Sequence, residues 1–422
     1  VLMHELGHYL AAKFYGLTAQ SLSVGFGRPL VSKKDHHGTI WYLRAFPIGG
    51  YVDLIGGSKK KEKQYLKLTV GAKSCIILGG VIMNLIISIT LLFIANYIGF
   101  DRRILKVDHV YRESPAERMH MKKGDTIIAI NNTKVDTLED MFLVTLQEKQ
   151  LSDELTIKTS DRNITTNKTT HEDFEILQEG KSLFRALGIR MVQEKIAPII
   201  TDVRDFSLAE KSGFRRGDQI TYINNRKINY TYDLVEPLEK RTDTLNISIL
   251  RNKKTILLKL HHPLSDPIIK WKKYGFTFEA PKKDKTLYFF KRQNFLEAME
   301  YSILLTYRYL AMQSIVIYKL TTGSLGLSVL SGPIGIAKHS FAILSLRSFV
   351  LFIRWLAIVN ICLAFINMLP IPILDGGQLV LCWIEHLKKS PIKKNIRDWI
   401  ESISVGLIVW IFILVSIQDL FL

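Results

Sequence analysis

Residues 74 to 100 carry no charged side chain. At 1.5 Å per residue, a helix over this run exceeds the ~30 Å hydrocarbon core of a bilayer. Inside that core no water pairs backbone N–H and C=O groups, so the run is predicted to be a membrane-spanning helix. Gly79 and Gly80 allow a neighbouring helix to come close. Asn84 is a polar group that must face protein, and a plain helix–helix hydrogen bond would already account for it. Residues 355 to 374 and 402 to 418 are uncharged as well. The chain is therefore expected to be a multi-pass α-helical membrane protein.

The first eight residues carry chemistry. His4, Glu5 and His8 form His-Glu-x-x-His. On a helix, positions i and i+4 share a face, so two imidazoles can hold one zinc with Glu5 beside a metal-bound water. With only 11 histidines among 422 residues, three matching positions are a poor fit to chance. The surrounding Leu2, Met3, Leu6, Tyr9 and Leu10 are apolar or weakly polar, as at the end of a membrane helix whose beginning precedes Val1. Two histidines leave the metal one protein ligand short of a catalytic zinc site.

The net charge of +18 narrows the partners. No nucleic-acid motif accompanies it, so anionic membrane lipid is the expected surface and nucleic acid is not. Cys75, Cys362 and Cys382 lie in apolar segments without CxxC spacing, which indicates neither a disulfide framework nor a zinc ribbon.

Between the helices the pattern changes. Val24-Gly25-Phe26-Gly27 and Thr39 to Val52 are rich in aromatic and β-branched residues around Pro47, Gly49 and Gly50. This predicts a β-hairpin, with an ordinary connecting loop as the alternative. Residues 101 to 280 are polar and contain an internal repeat. Gly124-Asp125-Thr126-Ile127 through Val135 recurs as Gly217-Asp218-Gln219-Ile220 through Ile228. Each copy reads as strand, tight turn at an Asn pair, strand. The lead-ins Ser114-Pro115-Ala116 and Ser207-Leu208-Ala209 complete a resemblance to PDZ domains. Leu187-Gly188-Ile189 and Tyr274-Gly275-Phe276 resemble their carboxylate-binding loops, and the sequence leaves open which repeat each serves. Residues 295 to 318 have a helical pattern but carry Glu297, Glu300 and Arg308, which predicts an amphipathic helix on the membrane surface. Ser331 to Ala337 reads as a breaker-rich segment.

Asp375 is a lone carboxylate after the apolar stretch Asn367-Met368-Leu369-Pro370-Ile371-Pro372-Ile373-Leu374. A carboxylate at membrane depth needs a named partner, and the metal of His4 and His8 supplies one. A helix-capping role after Pro372 is the alternative.

Together, His4-Glu5-Leu6-Gly7-His8, Gly80-x-x-x-Asn84, Asn367-x-x-Pro370-x-Pro372-x-Leu374-Asp375-Gly376 and the tandem repeats resemble the site-2 protease family of intramembrane zinc metalloproteases. The likeness is greatest to its regulators of sigma-E with tandem PDZ domains, and it runs along nearly the whole chain. The resemblance implies that His4, His8 and Asp375 hold Zn2+ and that Glu5 activates water. It implies that Asn84 and Asn367 hold substrate, and that Gly49, Gly50 and Tyr51 lie on a membrane-reentrant hairpin that pairs with unwound substrate. Val81 departs from a common Pro, and His120 from a common Gly in the first repeat.

The expected architecture is four core transmembrane helices with two inserted periplasmic PDZ-like domains. Its parts are residues 1–100 (first membrane half), 101–193 and 194–280 (PDZ-like domains), 281–345 (amphipathic segment) and 346–422 (second membrane half). For His4 and Asp375 to meet, the helix thought to end near Leu374 must run in the same direction as the first, so 295–318 cannot span. Lys- and Arg-rich segments 13–73 and 385–397 then face the cytoplasm of a bacterial inner membrane. The implied substrates are single-span membrane proteins of the anti-sigma factor type. A PDZ adaptor would want a lost Glu5 or a closed four-ligand site. A metal transporter would want polar residues recurring along several spans, and these are missing.

Overall fold

The computed structural model describes residues 2–54, 58–148, 156–160, 163–165, 184, 187–234, 237, 244–261, 274–279, 284–323, 330 and 332–421. The motif helix α1 (Leu2–Phe14) packs on the uncharged helix α3 (Val70–Ile98). Thr69 starts α3 by accepting the Ala72 N–H at 3.2 Å. The two helices meet at Gly7 and Gly79, where a Cβ on either would strike the other's carbonyl. Backbone-to-backbone approach of this kind is what small residues permit.

Strands β1 (Ser21–Lys34) and β2 (Ile40–Asp53) form the expected hairpin, which reaches further toward α1 than Val24. It folds back on itself: Ser21 lies opposite both Asp53 and Ile40, and Val24 opposite both Gly50 and Leu43. Residues 21–24 are thus central and residues 50–53 lie at an edge. Arg44 pins the fold, donating to Ser23 Oγ and the Gly27 carbonyl at 2.8 Å each, and to the Tyr51 hydroxyl at 3.1 Å. The short, lysine-rich α2 (Lys59–Leu66) links β2 to α3.

After α3 the chain enters a β-rich insert. Strand β3 (Phe100–Arg103) on the way out is destined to pair with the strand that brings the chain back. The first unit contains β4 (Val107–Val110), α4 (Pro115–Arg118), β5 (Ile127–Ile130), β6 (Thr133–Lys134), α5 (Leu138–Glu148), β7 (Thr156–Thr159), β8 (Asn163–Thr165) and β9 (Ile189–Met191). The second contains β10 (Ile200–Val203), α6 (Leu208–Lys211), β11 (Gln219–Ile223), β12 (Arg226–Lys227), β13 (Thr244–Arg251), β14 (Lys254–His261) and β15 (Phe276–Phe278). The sheet orders match, β6-β5-β7-β8 and β12-β11-β13-β14, each with a separate strand pair, β4-β9 and β10-β15. Both Asn pairs adopt left-handed backbone: φ is 44° and 63° at Asn131 and Asn132, and 45° and 65° at Asn224 and Asn225. That is what a two-residue hairpin turn of matching twist requires. Ser114 and Ser207 cap α4 and α6 by accepting the Glu117 and Glu210 N–H groups. His120, the departure from Gly, also sits at positive φ, as does its counterpart Gly213.

The open pairing of the glycine loops is resolved by register. The Gly188 carbonyl accepts the Tyr111 N–H at 2.9 Å, and the Gly275 carbonyl accepts the Arg204 N–H at 2.7 Å. Each loop closes the unit that precedes it in sequence. Each unit buries its own apolar core, around Val107, Ile130 and Ile157 in the first and Ile220, Ile247 and Phe276 in the second. The chain returns through β16 (Tyr288–Lys291), which pairs with β3 so that Phe100 lies opposite Lys291.

Helix α7 (Phe295–Thr321) begins with a capping box of Asn294 and Glu297 and packs against α3 and α5. Its Arg308, read from the sequence as one of the charges holding this segment at a surface, is instead buried and 3.7 Å from Asp140. Residues 333–345 correct the reading of a breaker-rich segment. Pro333 occupies the first turn of α8 (Pro333–Ser345), where proline lacks no needed donor. Then follow α9 (Phe349–Asn367), α10 (Asp375–Lys388) and α11 (Lys394–Phe421). The apolar run does not continue as helix to Leu374. Pro370 and Pro372 lack N–H donors and push their preceding residues out of helical backbone, so α9 stops at Asn367. Asp375 therefore opens α10, and is not at the end of the helix before it.

Among the described residues, three helices are long and apolar enough to cross a membrane: α3, α9 and Lys394–Asp419 of α11. The expected four spans also count α1, whose 13 described residues fall short of a bilayer's thickness.

Candidate metal centre

Helix α1 presents His4 and His8 one turn apart, their ring centroids 4.7 Å from each other. The break after α9 brings Asp375 to them. His4 Nε2 lies 3.1 Å from Asp375 Oδ2, His8 Nε2 lies 3.5 Å from the same oxygen, and the two Nε2 atoms are 3.2 Å apart. Three lone-pair-bearing atoms facing one another repel unless a proton or a metal cation sits among them. Ligand atoms at roughly 2.0–2.2 Å around a tetrahedral zinc are separated by about 3.3–3.6 Å, close to the spacings seen here. Asp375 Oδ2 is also buried with no hydrogen-bond donor. These residues fit a zinc ion.

The surrounding groups fix the rings. His8 Nδ1 donates to the Ile76 carbonyl of α3 at 2.9 Å, which leaves Nε2 as the lone-pair atom. The Asn84 amide is 3.3 Å from His4 Nδ1, and its Oδ1 has no other partner. Turned toward the ring, that oxygen accepts the Nδ1 proton and orients His4 in the same way. Asn367 Nδ2 lies 3.4 Å from His4 Nε2. A Cβ at Gly80 would strike both imidazoles, so the Gly80 and Asn84 spacing leaves room for the rings and then holds one of them.

A cavity of about 620 Å³ opens on this group. His4, Glu5, His8, Asn84, Asn367 and Asp375 all line it, as do Gly49, Gly50 and Tyr51 at the hairpin edge. The residues that the family resemblance assigns to metal, water and membrane-segment contacts thus line one cavity. The Val52 backbone amide faces the Glu5 carboxyl. Among the described residues no strand pairs with the outer edge of 50–53. Sequence reasoning missed Tyr65 of α2 and Gln378 of α10, which also line the cavity. Gln378 follows Asp375 by three residues, a helical spacing that could have flagged it.

The sequence profile of peptidase family M50 matches residues 1–411. A regulator of sigma E protease from Haemophilus influenzae is 26% identical over 430 residues, covering 99% of this chain and 95% of that one. A putative zinc metalloprotease from Vibrio cholerae is 26% identical over 412 residues, covering 94% and 90%. A regulator of sigma-E protease from Escherichia coli is 26% identical over 435 residues, covering 99% and 95%.

Proposed function

Because the chain belongs to peptidase family M50, the site-2 protease family of zinc metalloproteases, we propose that it cleaves single-span membrane proteins within their transmembrane segments. The observation that carries this reading is the convergence of His4, His8 and Asp375 on one point, with Glu5 beside it in a cavity bordered by Gly49 to Val52 of the hairpin.

His4, His8 and Asp375 would hold a zinc ion, which would supply Lewis acidity to the scissile carbonyl and to the attacking water. Glu5 takes the proton from the attacking water and passes it to the leaving amine. A substrate helix keeps its carbonyls in internal hydrogen bonds and must unwind before attack. Backbone groups of Gly49 to Val52 then pair with the unwound strand, which lipid cannot do. Asn84 and Asn367 border the same space and steady the substrate.

The two β-rich units act as PDZ-like domains on the periplasmic side of a bacterial inner membrane, with the metal toward the cytoplasmic side. Basic segments 13–73 and 385–397 support that orientation. Named relatives regulate sigma E, so a trimmed membrane-bound anti-sigma factor is the proposed substrate class. The units exclude bulky periplasmic domains by size. Their matching folds and separate cores give the rigid volume that exclusion needs.

The test is cleavage of a tagged single-span substrate by the wild-type chain and by Glu5→Gln, with zinc measured in both. The reading requires that the variant keep its zinc and lose cleavage. Normal turnover by Glu5→Gln would remove the mechanism.

A further inference from the structure

Asp375 is delivered by seven residues that are not helical, Met368 to Leu374, two of them prolines. A ligand on such a segment needs an outside anchor, because prolines remove two of the backbone donors that would hold it. Gln378 supplies one. Its Nε2 donates to the Pro372 carbonyl at 2.6 Å. Its Oε1 accepts from Arg397 Nη2 of α11 at 2.7 Å, and Arg397 Nε donates to Glu401 at 3.0 Å. A guanidinium only donates and a carbonyl only accepts, so these partners fix which way the Gln378 amide points. The segment is held close from the other side too. Gly376 and Gly377 lie against the Met368 and Ile371 carbonyls with no room for a Cβ.

We propose that Gln378 and Arg397 are positioning residues for the metal ligand Asp375, so that the last helix, which lends no residue to the cavity wall, sets the metal affinity of the site. This rests on the zinc reading above. The chain of contacts runs from Glu401 through Arg397 and Gln378 to Pro372, three residues before Asp375. Loosening it lets the Asp375 oxygen drift from the imidazoles while leaving all three ligands in the chain. Loss of groups that orient ligands typically weakens metal binding by about 10–100-fold.

The experiment measures zinc affinity of the full chain in detergent by competition with a chromophoric chelator, together with kcat and KM on a tagged substrate. Asp375→Asn is the reference for a lost ligand. Gln378→Ala is expected to weaken zinc binding by about 10-fold or more, and Arg397→Ala in the same direction. Gln378→Glu is nearly isosteric and still pairs with Arg397, yet it has no donor for Pro372, so it should bind zinc as poorly as Gln378→Ala. The double variant Gln378→Ala/Arg397→Ala should be no worse than Gln378→Ala alone, since both act through one contact. Wild-type zinc affinity in Gln378→Ala and Gln378→Glu overturns the proposal. So does a raised KM at unchanged zinc affinity, which would make Gln378 a substrate contact. Unchanged affinity in Asp375→Asn would instead remove the zinc reading itself.

Discussion

Tyr301 of α7 donates its hydroxyl to Asp140 of α5 at 2.6 Å, joining a helix of the first β-rich unit to one beside the spans. The bond belongs to a larger buried group. Arg354 of α9 pairs with Glu139, and Arg308 lies 3.7 Å from Asp140. Arg102 reaches Asp136 and Asn96 at 3.2 Å each, and Lys291 also pairs with Asp136. Buried charges persist only when paired, so this group fixes the first unit on the helices.

Removing one partner exposes the cost. Glu139→Ala leaves Arg354 buried without its carboxylate, and should destabilise the protein by about 3–5 kcal/mol. Replacing both, as Glu139→Leu/Arg354→Met, should recover most of that. Thermal unfolding in detergent checks both outcomes.

Gly80 faces the rings of His4 and His8 without space for a side chain. Gly80→Ala should therefore cut zinc content and cleavage together while leaving the helical circular dichroism intact. Full zinc occupancy in this variant would contradict the packing.

Asp375→Asn replaces a carboxylate by a neutral amide, a poor zinc ligand. Zinc should fall well below one per chain, and cleavage should fall with it. Elemental analysis of the purified variant decides the point, in contrast to Glu5→Gln, which should keep the metal.

Ile220 is fully buried in the core of the second β-rich unit. Ile220→Asp should unfold that unit, because a carboxylate there has no partner. The variant should then cut substrates whose periplasmic domain is untrimmed, and still cut trimmed ones near the wild-type rate. If trimmed substrates are also spared, with zinc and membrane insertion intact, the unit captures a substrate carboxyl end.

Acid should loosen the first unit. Burial alone would raise the Asp108 carboxyl, but hydrogen bonds from Arg190 at 2.7 and 3.0 Å, with Lys123 nearby, hold it below the ordinary carboxylate range. A depressed carboxyl stabilises fully above its unfolded value, near 3.9, and that contribution fades as pH falls through the folded one. Asp108→Asn should lack this part of the acid sensitivity. Unfolding midpoints of both proteins between pH 6 and pH 3 test it.

The grouping of His4, His8 and Asp375 is legible in the sequence because these residues sit in short motifs whose spacing is itself the geometry. His4 and His8 needed only a helix, and Asp375 only the cost of a lone carboxylate in an apolar stretch. The sequence disclosed the two units through repeated turns, since Asn131-Asn132 and Asn224-Asn225 announce left-handed backbone. It was misleading where meaning depends on a distant partner. Arg308 looks like a surface charge until Asp140, far away in sequence, is seen beside it. Gln378 looks unremarkable until Arg397 and Pro372 meet across it. The end of α9 is not legible from absence of charge, because Pro370 and Pro372 stop the helix and charge does not.

Gly7 and Gly79 also bear on traffic. A helix with side chains is about 10–12 Å across, and where these two backbones touch there is no gap between α1 and α3 for one to slip through. That seam is a wall and not a door. On the proposed reading, an incoming segment would instead reach the cavity along the flank bordered by Gly49 to Val52, which line it.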